Sequence, residues 1–454
     1  MEGKMRTWCL SGLLVSGWLL LSACGLGKPQ IATVEVTRIV PEPIPVTAEV
    51  TRIVREPIPV TAEVTRIVQE TVPVTAEVTR IVRETVVVTP APPLVWSVDI
   101  TQGVALPIPL TWHTATVLND NRILLVGGGN GMDEQYALVE IFDPVNGMLT
   151  PAAPLHTPRH EHSATLLQDN RVLVVGGYNF QRQWLQDAEV YDPSANTWTI
   201  VPPLYPHGVQ HTATRLLDGR VLVVGGCIGS GVCTARVEIF DPHTNTWTEA
   251  APLPSDRASH SAALLDDGRV LVAGGASVAG IPAGGEALLY DPLANAWMTT
   301  GPMVMQRTQA SMVKLSDGRV LVAGGLNISD DPIAFAGAEI YDPATYTWTA
   351  AASLSQPRYA YNLVLLPQGQ VLAVGGANNY DNPWTESSFV RDIEIYDPRS
   401  DRWFIAGKLP LPATYAADAF LPDGRLWVTG GGAGHAIVTA WSQTWLIRAI
   451  STQP

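Results

Sequence analysis

The chain has 454 residues, of which only 15% are charged, with 39 Gly, 36 Pro and a formal net charge of −14. That balance fits an all-β protein with many tight turns and a core of useful size. The acidic excess argues against nucleic acid or an anionic membrane surface as partner.

Residues 1–23 read as an export signal. Lys4 and Arg6 form its basic start, and the apolar run over residues 10–21 is short and interrupted by Ser11, Gly12, Ser16 and Gly17, unlike a membrane span. The segment ends in Leu21-Ser22-Ala23-Cys24, which resembles the lipobox of bacterial lipoproteins. The resemblance implies cleavage before Cys24 and lipid attachment at that residue. The protein would then sit in a bacterial cell envelope, held by its N-terminal lipid and facing the exterior or periplasm. Cys9 leaves with the leader. Cys227 and Cys233 remain, close together in one Gly-rich loop, where an exported chain can form a local disulfide. Two free thiols are the alternative, and no third ligand stands near enough in sequence to favour a metal.

Residues 24–93 read as a stalk. Glu-Val-Thr-Arg-Ile-Val recurs from Glu49, Glu63 and Glu77, and Val36-Thr-Arg-Ile-Val precedes them, giving a 14-residue period in four copies. Pro41, Pro43, Pro45, Pro57, Pro59 and Pro73 interrupt the copies and exclude long helices. The spacing predicts a semi-extended spacer, with a self-associating β stalk as the alternative.

Residues 94–454 carry a longer repeat. Gly-Gly pairs begin at Gly127, Gly176, Gly225, Gly274, Gly324, Gly375 and Gly430, evenly spaced at first and slightly further apart toward the C-terminus. The period of about 50 residues is that of a stacked four-stranded blade. Six positions before each pair stands Asn or Gly, the residues that tight hairpins need at positive φ. Between that turn and the diglycine lies a continuously apolar strand such as Val172–Val175, as expected when both faces are covered. Next comes a strand ending in Asp-Pro, at Asp143, Asp192, Asp241, Asp291, Asp342 and Asp397. Six positions beyond five of these stands Trp198, Trp247, Trp297, Trp348 or Trp403, with Leu149 in the first unit, each at one constant distance before the next diglycine. The indole is expected to fill the wedge between blades.

The diglycine, the Tyr or Phe before Asp-Pro and the Trp at these spacings resemble kelch repeats. The resemblance implies a seven-bladed β-propeller, with six blades as the alternative. It covers galactose-oxidase-like enzymes and binding modules alike, so it assigns no activity. Closure is expected by a three-plus-one blade. The offset of Tyr191 from Gly176 lands on Trp445 in the last unit, and residues 94–98 can supply the missing fourth strand. Trp96 lies further ahead of Gly127 than its counterparts lie ahead of their diglycines, which implies either four extra loop residues or a register at Ile100.

Variation is confined to one face, formed by the loops after each diglycine and the links entering each blade. The longest such loop follows Gly376 and offers Tyr380, Asp381 and Trp384 as candidate ligand contacts. Arg159, Arg257, Arg307 and Arg358 share one fixed offset before their diglycines and are candidates for carboxylate or sulfate groups, with a structural role, bonding blade backbone at the channel rim, as the alternative. Three positions beyond that offset, His113, His162, His211 and His260 are read as structural groups at the channel mouth. A copper-radical site of galactose-oxidase type would need a Cys–Tyr crosslink, a second Tyr and two His, and a sialate-mutarotase type only an acid–base pair. Arg307 or Arg358 with Glu161 or Asp381 would be such a pair, but no spacing selects them. The sequence thus favours a lipid-anchored binding module for a surface glycan or protein, without catalytic residue, metal or cofactor. An extracytoplasmic carbohydrate-active enzyme is the alternative.

Overall fold

The computed structural model describes residues 95–452 apart from 182, 230–231, 278–286, 328–332, 380–387 and 434–438. The signal segment, the stalk, Cys24 and the loop residues Tyr380, Asp381 and Trp384 lie outside the described residues.

Seven four-stranded antiparallel sheets make up the domain, and no α-helix occurs among the described residues. The second blade shows the plan: Ser163–Leu166, Val172–Val175, Ala188–Asp192 and Thr197–Ile200 follow one another from the channel outwards. The first strands of blades 1 to 6 stand side by side in turn, those of blades 7 and 1 do the same, and blades 6 and 7 meet through their outer strands, so the ring is closed. It is a seven-bladed β-propeller.

Apolar contact between blades holds the ring. Leu124 and Val126 of blade 1 pack against Val172, Val174, Tyr191 and Trp198 of blade 2. All four residues of Val172–Val175 are buried, and each such side chain contributes roughly 1.5–3 kcal/mol. The wedge Trp also carries a polar link. Indole Nε1 of Trp198, Trp247, Trp297 and Trp403 donates to the carbonyl of Ala153, Val201, Ala251 and Ala352 of the preceding blade, at 2.7–2.8 Å. Asp-Pro turns owe as much to the Asp as to the Pro: Asp192 Oδ1 accepts the Ser194 N–H at 2.8 Å, stopping the strand with a side-chain cap.

The diglycine is required sterically. Gly176 and Gly177 have φ of 61° and 102°, and a Cβ on Gly176 would lie 2.3 Å from the Gly208 carbonyl oxygen. That tight approach seats the entry segment of one blade over the end of its neighbour.

Closure uses the N-terminal strand Val95–Gln102, which pairs with Thr444–Thr452 along its whole length. Ile100 faces Ile447 as Trp198 faces Tyr191, so the register falls at Ile100, and no extra loop residues intervene. Trp445 does not take the aromatic position expected for it. The loop after Gly431 is two residues longer than in blade 2, which moves Ile447 opposite Leu426 and Trp445 opposite Val428.

Candidate functional site

The four arginines offered as candidate ligand contacts are buried. Arg159, Arg257, Arg307 and Arg358 are 0%, 1%, 2% and 0% exposed. Arg159 Nη1 donates to the Gly176 carbonyl at 2.8 Å, while Nη2 reaches Glu189 at 2.7 Å and Asp187 at 3.1 Å. Arg307 repeats the pattern with Gly324 O at 2.8 Å and Glu339 at 2.6 Å, Arg358 pairs with Glu394, and Arg257 donates to Gly274 O at 3.0 Å. The fixed offset from the diglycine thus sets a guanidinium against a diglycine carbonyl. The paired Glu also caps the entry loop: Glu189 Oε2 accepts the His156 N–H at 3.0 Å. In blade 3 His207 performs this duty, bonding Glu238 at 2.8 Å and the Gly225 carbonyl at 2.9 Å. Blade 1 has Leu110 instead, and burial pushes the Glu140 carboxyl above its ordinary value.

The four histidines form part of a belt around the channel. Nε2 of His162, His211, His260 and His113 bonds Thr114, Ser163, Thr212 and Thr429 of the preceding blade at 3.0, 2.8, 2.8 and 2.7 Å. Where blades 5 to 7 lack His, Ser261 donates to Ala310 O at 2.6 Å, Ser311 accepts the Leu363 N–H at 2.9 Å, and Asn362 donates to Ala416 O at 3.2 Å. Burial lowers His113 to about 4 and His211 and His260 to about 3, and with help from the Arg159 charge holds His162 well below its ordinary value. The neutral rings therefore stabilise the fold fully above about pH 6.5, and that contribution is lost as pH falls toward 4 and 3. Tm is expected to drop over this window, and to drop less steeply in a His211→Gln, His260→Gln variant. An equal slope in both proteins would contradict the belt.

Between the Arg and His columns lies a third that carries the mouth. Fifteen positions before each diglycine stand Trp112, Glu161, Gln210 and Ser259, then Gln309, Ala360 and Tyr415. All seven adopt positive φ, between 51° and 62°. A bulky residue such as Trp112 or Tyr415 rarely accepts that conformation, and surrounding contacts must impose it. Here the backbones are linked around the channel: Trp112 N–H donates to Tyr415 O at 3.1 Å, Glu161 to Trp112 O at 3.2 Å, Ser259 to Gln210 O at 3.0 Å and Gln309 to Ser259 O at 3.0 Å. The backbone is fixed by the fold and the side chain is free to vary. Sequence reading named only Glu161 from this column, because no one residue type runs through it; its variability between two fixed columns was the available signal.

These side chains open into a cavity of about 770 Å³ at the mouth. Its wall over blades 7, 1 and 2 is aromatic. Tyr415 lies against Trp112 with centroids 5.0 Å apart, Trp112 stacks on His160 at 5.1 Å, and His160 meets Tyr178, which touches Phe180 and Trp184 edge-on. Tyr178 and Trp184 sit on the two-residue strands Tyr178–Asn179 and Gln183–Trp184 of one hairpin. Gln210, Ser259 and Gln309 line the opposite side, and His162, His211 and His260 also border the cavity. Cys227 and Cys233 are joined by a disulfide in the loop after Gly226.

Residues 82–275 match the KLHDC2/KLHL20/DRC7 Kelch-repeats domain. Beta-scruin of Limulus polyphemus is 28% identical over 96 residues, 21% of this chain, and Kelch-like protein 35 of Mus musculus is 35% identical over 94 residues, 20% of this chain. The matches span only 10% and 15% of those two proteins. A fungal alcohol oxidase of the AA5 family in complex with copper superposes with a TM-score of 0.63 at 18% identity, over 76% of each chain. YjhT superposes with a TM-score of 0.52 at 15% identity, over 67% of this chain and 99% of that one. At such identity these structures share the fold alone. Residues 82–275 thus match a kelch-repeat domain within the seven-bladed β-propeller, a fold that supports a binding or interaction module.

The copper chemistry of the oxidase does not fit the residues present. Both propeller cysteines are spent in the disulfide, and no group of three His, Cys, Asp or Glu with metal-binding geometry occurs among the described residues.

Proposed function

We propose that this protein is an envelope-held binding module. Lipid at Cys24 anchors it, residues 24–93 act as a spacer, and the propeller offers its channel mouth to a glycan or protein at the cell exterior. The supporting observation is the positive-φ column. Seven side chains of varied type stand at one positive-φ position repeated in every blade, around an open cavity of about 770 Å³. Variable groups on a rigid scaffold are the usual form of a recognition site.

The test combines a glycan array and a cell-surface pull-down with the wild-type chain and the Trp112→Ala and Tyr415→Ala variants. Capture by the wild type that weakens in both variants is expected. Blank results with folded wild-type protein would sink the reading. Metabolic labelling with palmitate tests the anchor separately, since Cys24→Ser should abolish label without touching capture. A carbohydrate-active enzyme is the competing proposal. It draws on fold likeness alone and would require turnover of a sugar with matching loss in the same variants.

A further inference from the structure

We infer that the channel mouth seats a basic side chain of a partner polypeptide, with its guanidinium or ammonium against the aromatic wall and beside the carboxylates of Glu161 and Glu134. This rests on the binding-module reading and names its ligand.

Charge carries the argument. The described residues lining the mouth include Glu134 and Glu161 and no Lys or Arg. The arginines nearest in sequence have turned inward, with guanidinium groups committed to Glu189, Glu339 and Glu394. Burial keeps the imidazoles of His162, His211 and His260 uncharged, so His211 and His260 add no positive field above about pH 5. What remains is negative potential in a concave site on a chain of net charge −14, an arrangement that concentrates cations and repels acidic saccharides and acidic peptides.

The aromatic wall strengthens the same preference. Trp112, Tyr178 and Trp184 are only partly buried and present ring surface to the cavity, and ring faces attract guanidinium and ammonium groups. Arginine gains further by stacking flat on such a surface.

Both carboxylates stand on rigid supports. Glu161 is fixed by its φ of 55° and its N–H bond to Trp112 O. Glu134 closes a loop in which Asn130 Oδ1 accepts the N–H groups of Met132, Asp133 and Glu134 at 2.8–3.1 Å, and its own Oε2 accepts the Tyr136 hydroxyl at 2.8 Å. A neutral sugar would meet those carboxylates with hydroxyl groups alone, whereas a basic side chain also neutralises them. Space and surroundings favour a polypeptide over a lone amine. The cavity exceeds one side chain, and Met132 and Phe180, 55% and 50% exposed, give flanking residues an apolar rim.

The experiment titrates the full-length protein with hexaarginine, hexaglutamate and cellohexaose by calorimetry at low and moderate salt. Hexaarginine should bind, more weakly as salt rises, and hexaglutamate should not. Affinity for hexaarginine should fall at least about tenfold in Glu134→Gln/Glu161→Gln and in Trp112→Ala. Glu249→Gln, on an outer strand away from the mouth, should leave it unchanged. Thermal melts confirm that each variant is folded, and the carboxylate pair keeps the test valid should Trp112→Ala misfold. Equal affinity in wild type and the double variant would show mere surface attraction and overturn the inference. Binding of cellohexaose but not hexaarginine, lost in Trp112→Ala, would overturn it too while leaving the binding module intact. Silence from every probe in a protein that still captures surface material would overturn the ligand class alone; silence there as well would remove the module reading.

Discussion

Arg159→Ala is expected to lower stability by about 3–5 kcal/mol, the typical cost of removing one member of a buried ion pair. The guanidinium is fully buried and bonds Gly176 O, Asp187 and Glu189 together, so its loss strands a carboxylate that is itself 0% exposed. For a domain of this length the change corresponds to a fall in Tm of about 5 °C. Methionine in place of Arg159 combined with leucine in place of Glu189 should recover part of that loss, because the fully buried carboxylate goes with its cation, while the His156 N–H loses its cap and Asp187 its partner. Blade 1 already lacks the cation, with Leu110 at the equivalent place and the buried Glu140 carboxyl pushed above its ordinary value, so one blade of the ring forms without the clamp. Ligand capture should change only as far as folding does. Were Arg159→Ala to melt like the wild type yet lose capture, the guanidinium would have to meet ligand, and the interior assignment would fall.

The same residue shows what the sequence could convey. Diglycines, Asp-Pro turns and wedge tryptophans repeat because each meets a steric or hydrogen-bond demand of the blade, so blade number and strand order follow from their offsets. Three-plus-one closure followed too, but its register needed the sheet: Trp96 attracts attention as an aromatic, while Ile100 is the residue opposite Ile447. Arg159 was legible as a fixed position and misleading as a function, since offset alone does not say whether a side chain points to solvent or to the diglycine carbonyl. Glu189, its partner, lies two strands further along the chain, beyond the reach of local spacing. His207 escaped for a related reason. It stands one position earlier than the arginines yet reaches the equivalent Glu238 and Gly225 carbonyl.

The mouth was hidden by the logic that exposed the fold. Repetition marks what every blade must do, whereas recognition needs varied side chains at one repeated backbone position. Trp112, Glu161 and Tyr415 share only their φ, and φ is not written in residue type when ordinary residues are forced into it. The aromatic wall likewise depends on three-dimensional neighbours. Tyr415 and Trp112 belong to the last and first blades of the sequence, and their rings touch because the propeller closes.

Excising residues 95–102 is expected to have the largest effect of any change, abolishing cooperative melting and driving concentration-dependent aggregation. The strand pairs with Thr444–Thr452 along its whole length, and without it that partner becomes a long unprotected edge. The blade seam is lost as well. Val98 packs so closely on Gly407 of blade 6 that a Cβ there would lie 2.4 Å from its methyl carbon, and Ile100 fills the position that Trp occupies in other blades. Ile100→Asp should therefore reproduce much of the defect, while Asp99→Asn, at an exposed site, should leave melting unchanged. A synthetic peptide of residues 95–102 added to the excised chain should restore a folded, soluble ring, because it returns the missing pairing without the covalent link. An excised chain that melts at the wild-type temperature would mean that the ring is held by the inter-blade packing of the other seams alone. Tyr415, Trp112 and Glu161 would then keep their places without closure. If closure is required, the aromatic wall should come apart with it, and hexaarginine binding and cooperative melting should return together when the peptide is supplied.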